Sequence, residues 1–165
     1  LFFVNKLPAT IVAFALVIIY VIRLYGWHTK GIWEKPLLWS LYVSYIFIVL
    51  GFVLYLLAYF GIGNYLLSMH SFAYGGIGII TLSMMARVTL GHTGRNIFQP
   101  PKIISIALLL LTIGAIIRVI VPIFFFDHYL NLIMISQFAW VLSFLLYLIT
   151  FGPMLLKPVM DSRSS

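Results

Sequence analysis

Five apolar runs, each near or above the length of a bilayer crossing, leave few folds open to this chain. They lie at roughly 8–26, 37–60, 66–90, 103–126 and 131–156. About 20 apolar residues in a helix span the hydrocarbon core of a membrane. Lipid offers no hydrogen bonds to the backbone, so each run must satisfy its own N–H and C=O groups, which a helix does. The runs are too continuous for the alternating strands of about ten residues that build membrane barrels. The chain is 64% hydrophobic and 8% charged, whereas a soluble domain is about half apolar and about a quarter charged. The expected fold is therefore all-α: a polytopic transmembrane bundle of five helices over residues 1–165. Short connections make neighbouring helices antiparallel.

Charge orients such a bundle. Ten Lys and Arg stand against three acids, a net charge of +7. In a soluble protein that excess would suggest nucleic acid. In a membrane protein it marks cytoplasmic loops, and no nucleic-acid partner is expected. Arg23, Lys30, Lys35, Arg87, Arg95, Lys102, Lys157 and Arg163 fall on one side, and only Lys6 and Arg118 on the other. This bias predicts cytoplasmic segments at 27–35, 91–102 and 157–165, with the C-terminus inside and Leu1 outside. An N-terminus outside, with no initiator Met or signal peptide, is expected of a C-terminal piece preceded by an odd number of helices. There is no cysteine, which excludes disulfides, zinc fingers, iron–sulfur ligation and thiol nucleophiles.

Few residues are suited to chemistry. His70 lies about four residues into the third run, ~6 Å from its outer end. A membrane-embedded imidazole usually has a partner. It is a candidate haem or copper ligand, or else a structural His bonded to a Tyr, Gln or carbonyl. His92 is a second candidate metal ligand, in the turn Gly91-His92-Thr93-Gly94-Arg95. It could equally belong to a helix end closed by Gly91 and Gly94 and anchored by Arg87 and Arg95. Twenty-two residues of helix separate the two His by ~33 Å, so they are not expected to share a site. His28 and His128 read as loop residues.

Arg118 is placed ~12 Å inside the fourth run. It either meets an anionic group such as a haem propionate or snorkels to headgroups near Asp127. With His70, Tyr74 and Gln137 it forms an expected polar layer in the outer leaflet. The run Ser71-Phe72-Ala73-Tyr74-Gly75-Gly76-Ile77-Gly78 follows no strand, so it is not a dinucleotide loop. Its small residues would let a helix, or a flat tetrapyrrole, approach the backbone. Met69, Met84 and Met85 read as packing residues. Glu34, Asp127 and Asp161 are scattered, so no carboxylate pair or Ser–His–Asp set exists and no catalytic residue is identified. Whether the chain is an enzyme stays open.

The third run and its exit resemble the NnrS family of bacterial membrane proteins. The resemblance rests on Met69-His70-Ser71-Phe72-Ala73-Tyr74-Gly75-Gly76-Ile77-Gly78, followed by Met84-Met85-Ala86-Arg87-Val88-Thr89-Leu90-Gly91-His92-Thr93-Gly94-Arg95. Glu34-Lys35-Pro36-Leu37-Leu38-Trp39 is similar to the family's lead-in to the preceding helix. Gly152-Pro153-Met154-Leu155-Leu156-Lys157-Pro158 is similar to its closing segment. The resemblance implies the C-terminal five-helix part of a roughly twelve-helix protein of the bacterial inner membrane. It implies haem and copper as cofactors, nitric oxide or a similar small ligand, and a role in nitric oxide metabolism and nitrosative-stress resistance. Its site candidates are His70, Tyr74 and Arg118 for the cofactor, and His70 and His92 for metal. Lipid and the upstream helices of the same protein are the implied partners. The competing classes are a metal-free transporter or channel, with His70, Arg118 and Gln137 along a polar path, and a cofactor-free sensor or assembly subunit.

Overall fold

The computed structural model describes residues 6–156. Lys157, Arg163, the polar tail and the end of the closing segment lie outside the described residues. Five helices form: α1 (Lys6–Trp27), α2 (Pro36–Tyr59), α3 (Tyr65–His92), α4 (Lys102–Phe124) and α5 (Tyr129–Leu155). All five are long and apolar enough to cross a membrane, and no strand occurs among the described residues. The expected all-α multi-pass bundle is the fold.

Local chemistry sets the helix ends. Pro36 opens α2 at a position where its missing N–H costs nothing. The side chain of Asn64 caps α3 by accepting from the Leu66 N–H at 2.9 Å. Gly61 and Gly94 close α2 and α3 with φ of 80° and 69°, a left-handed backbone that glycine adopts without strain. After α3, the Arg95 N–H reaches the Leu90 carbonyl at 2.9 Å and the Gly94 N–H reaches Gly91 at 3.3 Å. These are the two bonds of a Schellman cap. Pro122 lacks the N–H that would reach the Arg118 carbonyl. The α4 helix accordingly breaks after Val119 and resumes over Val121–Phe124.

The centre of the bundle is α3. It runs antiparallel to α2, stitched by four serines. Ser68 donates to the Gly51 carbonyl at 2.8 Å, Ser71 to the Phe47 carbonyl at 2.6 Å, and the Ser40 hydroxyl donates to that of Ser83 at 2.9 Å. Along α5, α3 runs parallel: Tyr74 meets Ser136, and the Thr89 and Tyr147 hydroxyls lie 2.9 Å apart. The core repeats every three or four residues, as helix faces must. Ile79, Leu82, Ala86 and Leu90 of α3 pack with Ile104, Leu108, Leu111 and Ala115 of α4. Among the described elements α1 packs on α2 and on no other helix. The α1–α2 and α3–α4 connections, which carry Lys30, Lys35 and Arg95, share one end of the bundle. The α2–α3 and α4–α5 connections share the other.

One element departs from the expected regular helices. Over Ser71–Gly78, α3 widens into a π-helix, a form concentrated at functional sites. Its glycines are filled by neighbouring side chains. A β-carbon on Gly75 would overlap the Phe47 ring, one on Gly76 would press on Ile48, and one on Gly78 would overlap Trp140. Helix and ring packing, rather than room for a flat tetrapyrrole, is what these small residues provide.

A polar cleft between three helices

At the end of the bundle opposite Lys30, Lys35 and Lys102, three helices enclose a cleft of about 240 Å³ lined by His70, Ala73, Tyr74, Arg118, Gln137 and Trp140. The four residues of the expected polar layer thus come together from α3, α4 and α5. Each is held by its own set of contacts.

His70 ends the first α-helical segment of α3, immediately before the π-helix. It is half-buried, and its Nε2 lies 2.9 Å from the Tyr129 hydroxyl at the start of α5. Stacking on Phe126, with ring centroids 5.2 Å apart, steadies Tyr129. The expected partner of a membrane-embedded imidazole is therefore present, and it is a tyrosine.

Tyr74 is 5% exposed. Its hydroxyl donates to the Ser136 carbonyl at 2.6 Å, and its ring meets Trp140 edge-on with centroids 4.7 Å apart. Gly114 makes room for it on α4, since a β-carbon there would overlap the Tyr74 hydroxyl.

Arg118 does not snorkel towards Asp127. Its Nη1 donates to the Ser136 hydroxyl at 3.2 Å, and its guanidinium carbon lies 5.8 Å from the Tyr74 ring centroid. Ser136 therefore serves both neighbours, through its carbonyl to Tyr74 and its hydroxyl to Arg118. Gln137 is exposed at the cleft rim.

His92 stands apart. It is exposed in the last turn of α3, beside the Schellman cap, while His70 is near the start of the same helix. One continuous helix separates the two imidazoles, and nothing brings them together. His28 accepts from Trp33 Nε1 at 3.3 Å at the same end as His92, and His128 is exposed. Met84 is exposed and Met85 packs against the core. No group of three or more His, Cys, Asp or Glu residues gathers among the described residues.

Three residues of the cleft were not singled out in the sequence: Tyr129, Ser136 and Trp140. Their spacing of seven and then four residues puts them on one face of α5, a signal available once His70 and Tyr74 are placed against that helix. A second, larger cavity of about 500 Å³ lies at the same end, among Leu54, Leu57, Leu67, Pro122, Ile123 and Phe126. Its walls are mainly apolar, with Asn64 among them.

Comparison with curated proteins and with solved structures yields no significant match. A family profile described as NnrS protein matches residues 1–158. With that match running through α3, the π-helix and the cleft, this multi-pass membrane chain belongs to the NnrS protein family.

Proposed function

We propose that this chain acts in nitric oxide metabolism and nitrosative-stress resistance as the C-terminal five helices of a haem- and copper-containing bacterial inner-membrane protein. The observation that carries the reading is the convergence of His70, Tyr74 and Arg118, from two helices, in one cleft. Family membership supports the link to nitric oxide at the level of the family.

The cleft fits such a cofactor in part. It offers one imidazole and, beside it, a guanidinium fork suited to a carboxylate. Its lining carries no second His and no Cys, Asp or Glu. Its 240 Å³ is below the ~300 Å³ at which small-molecule sites usually begin. In this reading a macrocycle extends beyond the cleft, and the upstream helices of the same protein enclose it and supply the remaining ligands. A bound haem or copper would supply the centre that takes nitric oxide. His70 would hold the metal, with Tyr129 fixing its ring orientation, as a partner beyond the ligand commonly does. Arg118 and Tyr74 would position the polar edge of the cofactor. His92, if it binds metal, serves a separate site at the other end.

The test is His70→Ala in the full-length protein, read by haem absorbance and metal analysis, with membrane insertion as a control. Cofactor content should fall while insertion persists. His28→Ala should change neither. Full haem and copper in His70→Ala would refute the assignment. Wild-type protein purified without either cofactor would favour the metal-free polar path, which the exposed Gln137 supports.

A further inference from the structure

We propose that the cleft between α3, α4 and α5 binds an oxyanion, carboxylate or phosphate, carried by an amphiphile of the bilayer. The argument rests on the unpaired donors of Arg118 and needs no ligand role for His70, although it gives to an amphiphile the guanidinium that the cofactor reading gives to a cofactor carboxylate.

Arg118 lies six residues before the end of α4, ~9 Å into the span. A guanidinium has five N–H donors and no acceptor. One donor goes to the neutral Ser136 hydroxyl at 3.2 Å. The only acids among the described residues, Glu34 and Asp127, are exposed, and neither pairs with it. Charged side chains within membrane spans usually have a partner, and Arg118 has no anionic one among the described residues. Gln137 brings an amide to the same cleft, is exposed, and its side chain makes no hydrogen bond to any described residue.

The hydroxyls nearby already have partners. The Tyr129 hydroxyl is paired with His70, the Tyr74 hydroxyl with the Ser136 carbonyl, and the Ser136 hydroxyl donates to the Ile133 carbonyl. What the cleft has left is the positive charge of Arg118 with its free N–H donors, beside a Gln137 amide whose NH2 can also donate, and that set complements an oxyanion. It opens on the flank of the bundle. There Ile77 and Val141, one turn beyond Ala73 and Gln137, are exposed apolar residues for a chain to lie against. A soluble anion would have no use for that flank, whereas a lipid-like one would.

The experiment uses full-length protein, purified in non-ionic detergent and delipidated. Binding is followed by native mass spectrometry and by thermal stabilisation. The probes are oleate for a carboxylate, dioleoyl phosphatidylglycerol for a phosphodiester, oleyl alcohol and dioleoylglycerol as neutral counterparts, and sodium phosphate. At least one anionic amphiphile should bind about tenfold or more tightly than its neutral counterpart, and the tighter of the two identifies the headgroup. Arg118→Gln should lose that preference and Gln137→Leu should weaken it, while His28→Ala, at the other end of the bundle, should keep it. Gln137 is exposed and unbonded, so its variant decides the matter if Arg118→Gln fails to fold. Equal binding of neutral counterparts, or an undiminished preference in Gln137→Leu and in any folded Arg118→Gln, would overturn the proposal. So would sodium phosphate binding as tightly as either amphiphile.

Discussion

Tyr74 and Gly114 occupy one another's space: the tyrosine hydroxyl fills the position a β-carbon on Gly114 would take. Gly114→Ala must therefore push Tyr74 off the Ser136 carbonyl or part α4 from α5. We expect a loss of about 1–3 kcal/mol, the usual cost of overpacking. Gly152 also sits inside a helix, but its β-carbon would meet nothing within 4 Å. Gly152→Ala should be neutral or slightly stabilising. Thermal unfolding of both variants in detergent checks the contrast, and equal midpoints would refute it.

The His70–Tyr129 pair predicts a chemical signature. Tyr129→Phe removes the hydroxyl 2.9 Å from Nε2 and leaves the ring to stack on Phe126. The stability cost should be small, about 0.6 kcal/mol, as for other side-chain hydrogen bonds within membranes. The freed nitrogen should react faster with diethyl pyrocarbonate. Peptide mapping of modified His70 gives the rate, and an unchanged rate would show that Tyr129 does not shield it.

Serine contacts across α2 and α3 should each contribute little and add together. Ser68 and Ser71 donate to helix carbonyls at Gly51 and Phe47, which lie in the interior of α2. Ser68→Ala with Ser71→Ala should cost about 1 kcal/mol in total. A collapse of the fold in the double variant would mean that the serines, rather than close packing, hold these helices together.

Charge bias predicts which end faces the cytoplasm. Cysteines at Gly31 and Asn96, in the connections that share one end of the bundle, should resist an impermeant thiol reagent added to intact cells. A cysteine at His128, in the connection at the cleft end, should react. The reverse pattern would invert the orientation.

All five spans were readable because length and apolarity alone dictate helices in lipid. The meeting of His70, Tyr74, Arg118 and Gln137 was readable from depth, since antiparallel helices bring residues near corresponding ends to one level. Azimuth was not readable. Hydrophobic periodicity fades when both the packed and the lipid-facing sides are apolar, so nothing announced that Tyr129 and Ser136 face α3. The π-helix was also hidden, and so were the close approaches of Phe47, Ile48 and Trp140 to Gly75, Gly76 and Gly78 that accompany it, since they come from other helices. The Gly-His-Thr-Gly-Arg turn folds as a helix cap that leaves its candidate ligand His92 exposed.

The widened turn at Ser71–Gly78 sets a phase. An α-helix advances about 100° per residue, so a stretch that closes its ladder over five residues instead of four offsets everything beyond it. His70 and Ser68 lie on one side of the offset, and Ser83 and Thr89 on the other. All four nevertheless find partners on the helices around them. Losing a single residue from this stretch would let the ladder revert and swing one half of the span by about a quarter turn. The aim of His70 into the cleft and the grip of Ser83 on α2 would then be mutually exclusive. The two faces of the membrane are geared to each other through one inserted residue.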